Sequence, residues 1–153
     1  MRKDVETIAE MLKKDDPTAK VKDSDTTNAN TNTQRAETGG GYKTFMSGKW
    51  HVGGEYPPDA SHEWIQNAMG DESHPTPTQR GFDKYYGTLG GGGSYYQPPS
   101  LVEGDEVVKE VMPEGFYYTD AINDRACDFI ESMVGEADEK PFFMYVSHCA
   151  PHW

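Results

Sequence analysis

Cationic side chains are scarce: 14 Lys and Arg stand against 26 Asp and Glu in 153 residues, leaving a net charge of -12. Neutralising a phosphate backbone or an anionic lipid surface requires clustered cations, so this balance argues against nucleic-acid and membrane-surface partners. Any anion the chain binds has to be caught by a local group of donors. Long apolar runs are lacking too. The longest aliphatic and aromatic run, Phe142 to Val146, is far short of a membrane span, and Met1-Arg2-Lys3 leads into Asp4 rather than an apolar stretch. The sequence as given therefore shows no signal peptide or anchor, and leaves the compartment open. Two cysteines, Cys127 and Cys149, are too few for a disulfide framework or a metal cage and are expected as free thiols. With an apolar fraction of 35%, there is surface for one modest core, which fits one domain or part of one.

What is present divides into three stretches. Val5, Ile8, Met11 and Leu12 recur at helical spacing behind Asp4, which predicts a short amphipathic helix over residues 5 to 14 with Asp4 as its cap. Residues 15 to 40 change character: Ser24 to Thr33 hold almost nothing that can be buried, and Gly39-Gly40-Gly41 follows. Such composition cannot offset the entropy of ordering and predicts a disordered polar insert, with a recognition loop as the alternative. From Gly41 onward the pattern is globular. Tyr42 to Ser47 predicts a short strand stopping at Gly48. Residues 54 to 115 show no sustained period and predict irregular chain, with short strands near Tyr85-Tyr86 and Val107 to Val111. The run Gly90-Gly91-Gly92-Gly93 has neither a following Lys nor a helical pattern, so a mobile loop fits it better than a phosphate cradle. Thr119 is placed to cap a helix whose apolar face is Ile122, Ala126, Phe129, Ile130 and Met133, ending at Gly135. Phe142 to Val146, continuously apolar, predicts a strand buried on both faces of a parallel sheet. A helix feeding such a strand implies an α/β architecture.

Chemistry collects at two places: Lys49 and His51 directly after the first globular strand, and His148 and His152 directly after the last. In an open α/β sheet the carboxyl ends of strands border the ligand crevice, so both clusters are candidates for one pocket. A Lys with two or three His would supply charge and N-H donors to a tetrahedral oxyanion, with imidazole able to move a proton. On the residues alone, an anion site built from Lys49, His51 and His152 and a set of surface loop residues remain alternatives. A nucleotide loop is excluded, because position 43 is Lys rather than Gly and Trp50 stands where a Ser or Thr would hold magnesium. Zinc at His148-Cys149-Ala150-Pro151-His152 lacks a second ligand pair, and Pro151 prevents a helical presentation. His62 and His74 lie among polar residues and are expected at the solvated surface.

The segment Gly41-Tyr42-Lys43-Thr44-Phe45-Met46-Ser47-Gly48-Lys49-Trp50-His51-Val52-Gly53 resembles the second signature of type I sulfatases of the arylsulfatase kind, in the alkaline phosphatase superfamily, whose core is Gly-Lys-Trp-His. Three further pieces agree in order: Gln79-Arg80-Gly81-Phe82-Asp83 with Tyr86-Gly87, the helix from Thr119, and Pro141 to Trp153 with Ala150-Pro151-His152-Trp153. Thr7 to Lys13 is weakly similar to the helix that precedes the signature. The resemblance implies part of a sulfatase-type sandwich around a mainly parallel sheet, carried by residues 41 to 153. It also implies sulfuric ester hydrolysis of a small sulfate ester or a sulfated carbohydrate, by a formylglycine nucleophile beside calcium. It gives Lys49 a contact to sulfate and nucleophile, His51 proton acceptance from the formylglycine diol, and His152 a contact to the sulfate or leaving oxygen. His148 matches no functional position of the family.

The departures are specific. No Cys/Ser-x-Pro-x-Arg occurs, since Cys127 is followed by Asp128-Phe129, and Cys149-Ala150-Pro151-His152 is followed by Trp153 rather than Arg. No calcium ligands are assigned: Asp15-Asp16 follows a helix rather than an opening strand, and Asn123-Asp124 is reversed in order and lies within a predicted helix. The expectation is a fragment of such an enzyme, inactive by itself. The alternative is a non-catalytic oxyanion-binding or interaction remnant, with a phosphatase or phosphodiesterase of the wider superfamily disfavoured by Gly-Lys-Trp-His.

Overall fold

The computed structural model describes residues 6–14, 41–57, 59–134 and 140–152. The predicted insert at 15 to 40, and Asp4, Val5, Asp15, Asp16 and Gly135, lie outside the described residues.

The elements in order are α1 (Ile8–Lys14), β1 (Lys43–Gly48), α2 (His62–Ala68), a 3-10 turn (Thr78–Arg80), β2 (Lys84–Thr88), β3 (Leu101–Glu103), β4 (Glu106–Val107), α3 (Tyr118–Glu131) and β5 (Phe142–Ser147). The strands form one sheet in the order β4-β3-β2-β1-β5. β1 runs parallel to both β2 and β5, whereas β3 and β4 return antiparallel. The architecture is α/β with β2, β1 and β5 parallel, as the sequence implies.

Period-2 alternation sorts the strand residues onto two faces. Met46, Tyr85 and Val102 pack with Ala9 of α1 and Ile65 of α2, and Phe143 joins them. Phe45, Tyr86 and Leu101 pack with Tyr118, Ile122 and Phe129 of α3, and Met144 joins them. The result is a sheet between two helical layers, each core built from alternate positions of the same strands.

Several expectations change. The residues at the start of α1 form a capping box, in which Glu10 N donates to Thr7 Oγ1 at 3.1 Å and Thr7 N donates to the Glu10 carboxylate at 2.6 Å. The predicted apolar face of this helix does not turn inward: Ile8 is 61% exposed, while Ala9 is fully buried against Gly81, where a side chain would collide with the backbone of Glu10. α3 starts at Tyr118 behind Tyr117, so Thr119 lies inside the helix and does not cap it. Ile122, Ala126 and Phe129 are buried as expected, but Ile130 is exposed. Within 54 to 115 the chain forms α2, capped by Ser61 Oγ on Trp64 N, and three strands; the expected strand at Val107 to Val111 is only Glu106–Val107. β5 is paired with β1 alone among the described residues, and Tyr145 is 48% exposed. A continuous apolar run signals affinity for neighbours on both faces, but not how many neighbours are there.

Candidate functional site

Two glycines set the geometry where β1 ends. Gly48 has φ +119, and a Cβ there would fall 2.0 Å from Ser147 O; at Gly87 it would fall 1.8 Å from Gly48 O. Only bare backbone lets the carboxyl ends of β5, β1 and β2 approach this closely. Two buried tyrosines then fix the ends. The Tyr85 hydroxyl lies 3.1 Å from Gly48 O and 2.9 Å from Thr88 O, and the Tyr118 hydroxyl accepts from Thr88 N at 2.8 Å and donates to Thr88 Oγ1 at 3.3 Å. Burial pushes both phenols well above their ordinary range, so they stay protonated donors.

Lys49, the first residue after β1, is held on both sides of its peptide: its N-H donates to Ser147 O at 2.8 Å, and Ser147 Oγ donates to Lys49 O at 2.8 Å. Trp50 crosses to β2, donating from N to Thr88 O at 2.9 Å and from Nε1 to Pro75 O at 2.8 Å. His51 donates its N-H to Leu89 O at 3.1 Å and has φ +55, the left-handed region that a non-glycine residue seldom occupies. Its exposed ring lies on the glycine run, where a Cβ added at Gly91 would stand 2.3 Å from His51 Nε2.

After β5, the chain turns through Cys149 and a cis Ala150-Pro151 peptide, with His152 N donating to Cys149 O at 2.8 Å. A Cβ at Gly92 would be 3.9 Å from His152 Cε1, and the Tyr95 hydroxyl donates to His152 O. His51 and His152 thus meet adjacent glycines of one loop from two neighbouring strands. Lys49 is linked to the same turn through Cys149, whose thiol burial pushes up while a hydrogen bond to Thr88 and the Lys49 charge oppose the shift. His148 is drawn elsewhere: its Nε2 is 2.8 Å from Asn123 Oδ1 on α3.

The glycine run, expected as a mobile loop, forms a surface for both histidines. Its start is tied to the strand after it, with Leu89 N donating to Ser100 O at 3.1 Å and Gly90 N to Ser100 Oγ at 3.0 Å. The signal for this was in the sequence: a run of four glycines also marks a place where side chains from elsewhere must come close to backbone. His74, expected at the solvated surface, is half-buried instead. It touches the rings of Tyr56 and Trp64 at 5.1 and 5.8 Å and lies 3.1 Å from Glu55 O through Nε2. His62 is exposed as expected.

A cavity of about 340 Å³ is lined by Gln66, Met69, Gly70, Thr76, Gln79 and Asp105. Its polar groups are engaged with one another, Thr76 Oγ1 with Thr78 Oγ1 at 2.8 Å and Gln66 Nε2 with Asp105 O at 3.0 Å. That is packing chemistry, and none of Lys49, His51 and His152 lines the cavity. Calcium takes about six to eight oxygen ligands, mainly carboxylates and carbonyls. Lys49, His51 and His152 offer a cation and nitrogens, and among the described residues no group of three or more His, Cys, Asp or Glu could hold a metal ion. The described residues do not form a calcium site.

Comparison with known proteins bears on the identity of this arrangement. Uncharacterized sulfatase YdeN of Escherichia coli (strain K12) is 29% identical over 73% of this chain and 20% of its own length. Arylsulfatase J of Mus musculus is 32% identical over 73% of the chain and 17% of its length, and an arylsulfatase of Klebsiella aerogenes is 28% identical over 73% and 22%. The chain thus spans about a fifth of the length of the curated relatives it matches. A crystal structure of Ps i-CgsB in complex with k-i-k-neocarrahexaose superposes with a TM-score of 0.49 at 32% identity, covering 73% of this chain and 24% of that one. The family model described as Sulfatase matches residues 26–153, which include Lys49, His51, His152 and the strands that carry them, and this chain belongs to the sulfatase family.

Proposed function

We propose that this chain carries the anion-handling part of a sulfuric ester hydrolase site, with Lys49 and His152 binding the sulfate and His51 and His152 managing protons. The observation that carries the reading is the meeting of His51 and His152 on Gly91 and Gly92, at the carboxyl ends of strands that also present Lys49. Hydrolysis of a sulfate ester breaks a sulfur-oxygen bond while negative charge grows on the departing oxygen. A fixed ammonium opposes that charge, and an imidazolium can hand the leaving oxygen a proton. The substrate class is a sulfate ester of a small molecule or a carbohydrate.

The attacking group is the part these residues do not supply. No Cys/Ser-x-Pro-x-Arg stands in the 153 residues, and the raised pKa of Cys149 keeps it a thiol rather than a nucleophilic thiolate. That absence favours a second reading, an oxyanion-binding remnant without catalysis. Binding and turnover together separate the readings. Titration of inorganic sulfate into the chain is expected to show binding that Lys49→Ala weakens roughly tenfold or more, the size of a charge-assisted hydrogen bond. Nitrophenyl sulfate is expected to be released no faster than background, because covalent attack is the step the other groups only assist. Sulfate binding indifferent to Lys49→Ala would sink both readings. Turnover abolished by Lys49→Ala would show a nucleophile within the chain.

A further inference from the structure

Beside His152 lies a cluster of aromatic rings that the sulfate chemistry does not use. Tyr95 and Tyr117 have ring centroids 6.0 Å apart, Tyr96 and Tyr117 5.8 Å, and Tyr96 is 64% exposed. Exposed aromatic faces grouped at the rim of a polar site mark a contact surface more often than isolated ones do. The segment holding them is built rather than slack. Ser94 Oγ accepts from both Tyr96 N and Gln97 N at 3.0 Å, and the Gln97 amide pairs with the backbone of Met112 in both directions. Gly93, at φ +141, packs where a Cβ would strike Pro99 at 2.3 Å, and Tyr95 O accepts from Tyr118 N at 2.7 Å. The Tyr95 hydroxyl joins the shelf to the turn that carries His152.

We propose that Tyr96, backed by Tyr95 and Tyr117, is a stacking shelf for the sugar ring of a sulfated saccharide whose sulfate is held by Lys49, His51 and His152. The inference rests on the sulfate-site reading above and names the substrate class for it. A pyranose ring has a face of C-H bonds that meets the electron-rich face of an aromatic ring, while its hydroxyls stay in water. An open shelf suits that amphipathic ring; a purely apolar aryl group gains most from an enclosed slot. The chain from the histidine contacts at Gly91 and Gly92 to Tyr95 passes through Gly93 and Ser94, so no large side chain stands on this segment between the shelf and the histidines. The net charge of -12 repels a densely sulfated polymer, which selects a sparsely sulfated saccharide.

The test is titration of the whole chain with galactose 6-sulfate, unsulfated galactose and inorganic sulfate. Galactose 6-sulfate is expected to bind more tightly than inorganic sulfate. Tyr96→Ala should weaken it about three- to tenfold, the range of an aromatic face contact. Tyr96→Phe, which keeps the ring face, should retain the affinity, and inorganic sulfate should bind Tyr96→Ala as it binds the parent chain. Galactose 6-sulfate that binds no better than sulfate, or is indifferent to Tyr96→Ala, overturns the shelf. So does a Tyr96→Ala chain that loses inorganic sulfate to the same degree, since the ring would then merely support the loop. In each of those cases a sulfate affinity that depends on Lys49 keeps the sulfate site standing. Absence of sulfate binding altogether removes both.

Discussion

A methyl group at Gly91 would stand 2.3 Å from His51 Nε2, closer than any real contact, whereas one at Gly92 would rest 3.9 Å from His152 Cε1, an ordinary distance. Two adjacent glycines therefore make opposite predictions. Gly91→Ala is expected to displace the His51 ring and weaken sulfate binding roughly tenfold, the size of one charge-assisted hydrogen bond, with little change in melting temperature. Gly92→Ala should leave binding near that of the parent. Equal sulfate affinity for Gly91→Ala and the parent, measured by titration, would place His51 outside the site. At this scale the sequence is candid about side chains and silent about their surroundings. Lys49, His51 and His152 stand out as candidates by their positions after apolar runs. The positive φ of His51 and the contact with Gly91 arise from a loop forty residues away, which no local pattern encodes.

Helix α1 is a seven-residue element too short to stand alone, so its hold on the sheet comes from the buried Ala9 and from side chains near its ends. Thr7 Oγ1 donates to Arg80 O at 2.6 Å, Arg80 meets Glu10 at 3.1 Å, and Lys13 pairs with Asp83. Burial pulls the Asp83 carboxyl up, but hydrogen bonds from Lys13 and from Thr44 N outweigh it and leave the group below its ordinary range. A depressed carboxylate stabilises the fold at pH values above the unfolded pKa, and that contribution is lost as pH falls through the folded one. Acidification below the ordinary carboxylate value of 3.8 should thus loosen α1 before the sheet. Asp83→Asn should mimic this at neutral pH. The cost is expected to be about 0.5–1 kcal/mol, kept small by water around the pair, and would be read as faster amide exchange in residues 8 to 14. Unchanged exchange there would mean that the capping box and Arg80 hold the helix alone. Elements of this kind are where sequence reading fell short. The Thr7-x-x-Glu10 box and the Ser61 cap are local signals that were present, but β3 and β4 span three residues and two, below the length at which alternation shows. α3 was legible because fourteen residues repeat its period.

For the molecule as a whole, β5 is the element whose environment differs most from its composition. Among the described residues its apolar run pairs with β1 on one side only, and Phe142, Tyr145 and Val146 are exposed. An unpaired strand edge with apolar side chains is a template for a further strand. The chain in solution is therefore expected to self-associate as its concentration rises, and Tyr145→Lys should suppress this in sedimentation velocity without altering sulfate affinity. A monomer at all concentrations would show the edge to be protected. The pairing of β1 with β5 also governs when the site can exist. Lys43 faces Phe142 and Gly48 faces Ser147, so the two histidine-bearing turns are brought together by partners 99 residues apart in sequence. Closing so long a loop adds only about 0.6 kcal/mol per doubling of length, so the equilibrium cost is modest. The kinetic cost is larger, because contacts of high sequence separation form late and slow the search. β1, β2 and the glycine loop precede β5 in the chain, but Lys49 is held on both sides of its peptide only once Ser147 of β5 is paired beside it. Sulfate binding is therefore a report on the closing of the β1 to β5 ladder, and a pulse of refolding chain should gain it only when that ladder has formed.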